Sequence, residues 1–164
     1  MIDDRTGGDL LIRAVLPTEV ADAVALHARA RATYYPDGVP GDGTDWVAAW
    51  RAAVERPDGR VLCAVEAGRI VALASFRTPE GAPAETVKLF QFHVDPERWR
   101  SGIGTALHAA CAEQWRADGR RTAVLDVHVD NRRAQAFYTR LGWAADPAGP
   151  GEHHVGMRYS VAGE

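Results

Sequence analysis

The chain has 164 residues, with 19 Lys and Arg against 22 Asp and Glu, a formal charge of −3 and 46% hydrophobic residues. That length suits one domain with a core of its own, expected over 1–164 with residues 1–8 as a loose tail. The balance excludes a disordered chain, a collagen-like fibre and a disulfide scaffold, and the absence of a basic excess argues against nucleic acid as a partner.

Cys63 and Cys111 each lie among apolar neighbours, as reduced core thiols do. Asp3 and Asp4 stand where a secretory leader would be basic or apolar. Elsewhere the longest uncharged apolar runs, such as Ile70 to Phe76, are strand-sized, whereas a membrane span needs about 20 residues. A cytoplasmic protein with no membrane partner is the expectation.

In chain order, Leu10 to Val15 reads as a first strand. Thr18 is placed to cap a helix whose apolar stripe is Val20, Val24 and Leu26-His27, reaching about Ala32. Residues 34–45 are dense in turn formers and predict a loop. Thr44 or Asp45 then caps a second helix holding Trp46 and Trp50. Arg60 to Glu66, the Ala67-Gly68 turn and Arg69 to Arg77 predict a hairpin. After a Pro/Gly loop, Val87 to Val94 is a strand stopped by Asp95-Pro96. Ser101 to Asp118 has helical spacing at Ile103, Leu107, Ala110-Cys111 and Trp115, with Gly119 to end it. Thr122 to Val129 is a strand and Arg132 to Leu141 a helix ended by Gly142. Trp143 to Ala145 and His153 to Val161 close the chain as strands. The pattern β-α-α-β-β-β-α-β-α-β-β predicts a mixed α/β sheet flanked by helices.

Two blocks carry chemistry. In the first, Val94-Asp95-Pro96-Glu97-Arg98-Trp99-Arg100-Ser101-Gly102-Ile103-Gly104 joins a strand to a long helix. A helix start offers unpaired N–H groups and a positive dipole end, and glycine lets a phosphate approach the backbone closely. Leu107 occupies the third glycine position of a dinucleotide fingerprint, and Gly-Lys-Ser/Thr is missing, so neither a Rossmann turn nor a P-loop is present. In the second, Leu125-Asp126-Val127-His128-Val129-Asp130-Asn131 runs into Arg132-Arg133-Ala134-Gln135-Ala136-Phe137-Tyr138, then Leu141-Gly142-Trp143. Asn131 sits at a strand–helix junction, where it can cap the helix.

Together these blocks resemble the GNAT acyltransferase superfamily, strongly over residues 87–143 and in element order over residues 10–77. The resemblance implies a mostly antiparallel sheet of six or seven strands, splayed at an acyl-CoA cleft and flanked by about four helices. Acetyl-CoA is then the cosubstrate, with no metal. It implies cosubstrate contacts from Phe92, His93, Val94, Arg98, Trp99, Arg100, Ser101, Gly102, Ile103, Gly104 and Thr105, with Asn131 and Tyr138 on the arm. The family's usual first position of the phosphate turn, Arg or Gln, is here Trp99. Arg98 and Arg100 flank it and can replace that charge.

Acetyl transfer to an amine needs donors for the carbonyl oxygen, a base for the ammonium and an acid for the leaving sulfur. By resemblance, a strand bulge exposes amides at Phe92 to Val94, Asp126 is a candidate base and Tyr138 the acid. His93 is a second candidate base. His153-His154 are expected on opposite strand faces and His128 with Asp130 on one face, with no zinc set completed. Trp46, Trp50 and Trp115 are expected to pack rather than stack on bases. The family builds its acceptor pocket from the first two helices, their loop and the last strands. Here that loop's Tyr34, Tyr35 and Asp37 suit a cationic, small-molecule amine. Dimers are frequent among such relatives. The alternatives are acylation of a protein N-terminus or lysine, and a non-catalytic acyl-CoA sensor.

Overall fold

Alternating runs become strands here, and the runs spaced by three and four become helices. A computed structural model describes residues 10–33, 43–147 and 151–161. The strands are β1 (Leu10–Ala14), β2 (Gly59–Glu66), β3 (Arg69–Arg77), β4 (Thr86–Val94), β5 (Thr122–His128), β6 (Ala144–Asp146) and β7 (His154–Ser160). The helices are α1 (Val20–Arg31), α2 (Trp46–Glu55), α3 (Ile103–Ala117) and α4 (Arg132–Arg140). The seven strands form one mixed sheet in the order β1-β2-β3-β4-β5-β7-β6. β1 with β2, β5 with β7 and β6 with β7 are antiparallel, while β4 and β5 run parallel. The expected mixed, mostly antiparallel sheet and four helices are therefore present.

One expected cap is replaced. Thr18 does not cap α1, because Pro17 starts a short 3-10 turn, Pro17–Glu19, that leads into Val20. Glu19 does the local bonding instead. Its carboxylate accepts from the Leu16 N–H at 2.9 Å and from Arg13 at 2.8 and 2.9 Å. Those bonds to Arg13 and Leu16 hold the Glu19 carboxyl at about 2. At α2 the expectation holds: Asp45 accepts from the Ala48 N–H at 3.0 Å.

The chain divides into two compact units that interleave in sequence, residues 1–75 with 91–110, and residues 76–90 with 111–164. In the first, Val15, Val20, Leu26, Trp50, Val61, Cys63 and Leu73 form a core, with Trp46 and Ile70 packed at its margin. Each of the valines and leucines among them contributes about 1.5–3 kcal/mol by leaving water. The second is aromatic at its centre. Wholly buried Trp115 meets Phe76 edge-on at 5.5 Å, and Trp143 stacks on Tyr159 at 5.3 Å. Trp50 and Trp115 thus pack as core, as their spacing predicts. Both cysteines are free and buried, with burial pushing the Cys63 thiol to about 11 and Cys111 to about 12, so neither is a nucleophile at neutral pH.

Within the second unit, β5 separates two environments by its alternation. Ala123, Leu125 and Val127 are buried, whereas Val124, Asp126 and His128 lie on the other, more open face. The register carries that face across β7, where Asp126 stands opposite Gly156 and His128 opposite His154. On the other side of β5, Lys88 of β4 pairs with Val124.

Candidate active site

The first unit contains the strand–turn–helix expected to receive a phosphate. β4 ends at Val94, and nearly buried Asp95 fixes the turn by accepting from the Glu97 N–H and from Arg29, each at 3.0 Å. Burial alone would raise the Asp95 pKa, but the Glu97 amide and Arg29 hold it below its usual value. The Trp99 indole N–H donates to the Val94 carbonyl at 3.2 Å, so the aromatic residue at the family's cationic position braces the strand end. Arg98 donates through Nε to Glu66 Oε1 at 2.6 Å. One of the two cations expected to replace the lost charge therefore already has a carboxylate partner. Arg100 is exposed and left-handed, at φ 67°, a conformation that strains any residue with a Cβ.

Gly102 follows at φ 85°, and a Cβ built there would meet nothing within 4 Å, so the backbone faces open space. The helix bonds begin with the Ala106 N–H on the Gly102 carbonyl at 3.0 Å. The amides of Ile103, Gly104 and Thr105 therefore precede the helix's own ladder, as first-turn amides must. Left-handed backbone beside a helix start is a concave array of N–H donors. A pyrophosphate fits these donors and the adjacent Arg100.

His93, also in the first unit, is buried. Its ring stacks on His27 at 4.5 Å and its Nε2 lies 2.7 Å from Gln91 Oε1. The Trp50 indole N–H donates to His27 Nδ1 at 3.0 Å. Burial first, then His27 and Arg31, push His93 down to about 3. The ring is buried and neutral at pH 7. Sequence reading placed His27 on α1's apolar stripe, but its contacts with Trp50 and His93 come from chain segments far apart.

The second unit holds the other candidates. Asp126, on the open face of β5, accepts from the Lys88 ammonium at 2.9 Å. Sequence reading named Asp126 but not its partner, because the pair depends on the β4–β5 register. Asn131 Oδ1 accepts from the Ala134 N–H at 3.2 Å, which makes it the cap of α4 that its position predicts. Gln135 closes the same junction by donating to the carbonyls of His128 and Val129 at 3.1 and 3.0 Å. Tyr138 is buried in α4, its ring 5.3 Å from Phe137 and 5.6 Å from Trp143.

The histidines differ in detail from their expected strands. β5 ends at His128, so Asp130 belongs to the following turn rather than the strand face, and its N–H folds back onto His128 Nδ1 at 3.1 Å. β7 starts at His154, whose ring meets His128 edge-on at 5.5 Å, while His153 precedes the strand beside Glu152. Among the described residues, no three His, Cys, Asp or Glu side chains gather to hold a metal ion. No helix among them is long and apolar enough to cross a membrane. Phe92 to Thr105 thus fall in the first unit, and Asp126, Asn131 and Tyr138 in the second. Tyr34, Tyr35 and Asp37 lie outside the described residues.

Comparison with known proteins reaches both units. Residues 24–143 match the model of the acetyltransferase (GNAT) family. A 59-residue stretch, 36% of the chain, is 41% identical to an uncharacterised N-acetyltransferase of Methanocaldococcus jannaschii, of whose length it spans 26%. The fold is similar to the PaiA N-acetyltransferase of Thermoplasma acidophilum in complex with coenzyme A. There the TM-score is 0.76 and the identity 14%, over 93% of this chain and 99% of that one. It is similar also to the ribosomal-protein-S18-alanine N-acetyltransferase of Escherichia coli, with TM-score 0.74 and 20% identity over 93% and 94% of the two chains.

Proposed function

The chain belongs to the GNAT acetyltransferase family, and from that premise we propose that it transfers the acetyl group of acetyl-CoA to a primary amine of a small molecule. The observation that carries the reading is the turn into α3, where strained Arg100, open Gly102 and the first-turn amides form an anion-binding array. Gly102 to Thr105 would hold the diphosphate through the backbone, with Arg100 as the cation. The coenzyme A in the Thermoplasma relative supports the same cosubstrate.

Bound acetyl-CoA supplies a thioester whose carbonyl carbon gains the amine nitrogen as the carbon–sulfur bond breaks. Asp126 receives the proton that the ammonium must lose before it can attack. Tyr138 donates its hydroxyl proton to the departing sulfur, so the thiol leaves neutral; the nitrogen loses its second proton to solvent as the amide forms, and the proton on Asp126 returns through solvent to Tyr138. Asp126 is preferred to His93 as the base because it sits on an open face that an ammonium can reach, whereas His93 is buried. Asn131 offers its amide NH2 to the cosubstrate arm while its oxygen caps α4.

The test is calorimetry with coenzyme A, followed by thiol release from acetyl-CoA over a panel of amines. Heat on titration and amine-dependent free thiol are the expected results. Binding without any amine-dependent thiol would identify a non-catalytic sensor, and an absence of binding would defeat the cosubstrate reading.

A further inference from the structure

Lys88 is the sole lysine of the chain, and its ammonium lies 2.9 Å from the carboxylate assigned as the base. We propose that Lys88 is a specificity residue for acceptors that carry a carboxylate close to the reacting amine, so that the substrate class is amino acids rather than plain amines. The inference rests on Asp126 receiving the acceptor's ammonium.

The argument starts from charge. A plain ammonium arriving at Asp126 joins Lys88, leaving two cations around one carboxylate, and that repulsion disfavours binding. A zwitterion instead exchanges partners, its ammonium taking Asp126 and its carboxylate taking Lys88. No net charge is added to the face. The pair is open enough to exchange, with Lys88 and Asp126 side chains 26% and 35% exposed, and ion pairs reached by water are weakly held.

Two features of the same face favour the exchange. Gly156 stands opposite Asp126 in the β5–β7 register, so the position directly across from the carboxylate carries no side chain. On β4, Phe90 has the Lys88 ammonium 4.9 Å from its ring centroid and the Arg77 guanidinium at 4.2 Å. The ring gives Lys88 a second favourable contact once Asp126 turns to the substrate, and it brings Arg77 to the same aromatic as a further positive charge. A carboxylate approaching Phe90 therefore meets two cations.

The experiment sets amino acids of graded chain length against the amines that lack only their carboxylate. Each is titrated into the coenzyme A-loaded protein by calorimetry, then assayed with acetyl-CoA for thiol release. The expected result is at least a tenfold preference for one or more amino acids over the matched amine, in Kd or in kcat/KM. Lys88→Met should collapse that ratio toward one, mainly through KM, and Lys88→Arg should keep most of it. Unchanged coenzyme A affinity in both variants shows that they are folded. Thiol release with amines but no preference for amino acids overturns this inference and leaves the acetyltransferase reading standing. Lys88-dependent binding of amino acids without thiol release upholds the inference and overturns the reading. Binding of neither class overturns the inference outright.

Discussion

Tyr138 carries a load of packing as well as the proposed chemistry, and the two are separable by one oxygen atom. Its ring lies against Phe137 and Trp143, contacts that phenylalanine keeps, so Tyr138→Phe leaves α4 seated. The expected outcome is a fall in kcat of roughly 10²-fold or more with little change in acetyl-CoA affinity, checked by steady-state kinetics beside calorimetry. Equal turnover would remove Tyr138 as the acid. Two buried histidines contribute to acid stability. Burial pushes His108 down to about 4, and His93 lies at about 3, against 6.5 for both in the unfolded chain. Above pH 6.5 both are neutral in both states, and their contribution to stability is fully present. Below it the unfolded chain binds protons that the folded chain refuses. Stability therefore falls with pH by up to about 1.4 kcal/mol per unit for each histidine, until the folded values are reached. Denaturant titrations at pH 7, 6 and 5 should show that slope, and His108→Gln should make it shallower. A slope unchanged in that variant would clear His108 of the effect.

At the scale of elements, strands and helices were legible wherever period and punctuation agreed. Arg69 to Arg77 and the starts of β5 and α4 match to the residue, because alternation and the Asn131 cap leave little freedom. Helix α1 was less legible: Thr18 has the right chemistry for a cap, yet Pro17 imposes a helical φ one step too early. The turn before α3 was legible as a glycine pattern, but its strain was not, since nothing local announces that Arg100 is left-handed. That strain gives a prediction in two directions. Arg100→Gly relieves the positive φ and should add about 1 kcal/mol of stability, with some given back to the entropy of the unfolded chain. It also removes a guanidinium from the proposed diphosphate site and should weaken coenzyme A binding several-fold. Melting and calorimetry on the same preparation check both signs. A variant more stable and equally tight for coenzyme A would show that the arginine sits there for another reason.

For the whole molecule, family and architecture were readable because two motifs and the element order constrain each other. The partners of the site residues were not. Lys88 with Asp126, Arg98 with Glu66 and His27 with His93 each join separate segments, and only the sheet register and helix seating decide them. Ligand linkage tests the molecule at this scale without presuming turnover. A cosubstrate that binds only the folded chain stabilises it by about 2.7 kcal/mol at a hundredfold excess over Kd. For a chain of this size that is a rise in Tm of roughly 5–10 °C. Inorganic pyrophosphate should give a smaller rise, because the proposed contacts for it are the turn at Gly102 to Thr105 alone. Hydrogen exchange then locates the two contributions. Pyrophosphate should slow the amides of the α3 start alone, whereas acetyl-CoA should slow those and also the amides around Asn131. Protection by acetyl-CoA confined to the α3 start would mean that Asn131 and Tyr138 take no part in holding the cosubstrate, and the proton-donor role of Tyr138 would fall with it.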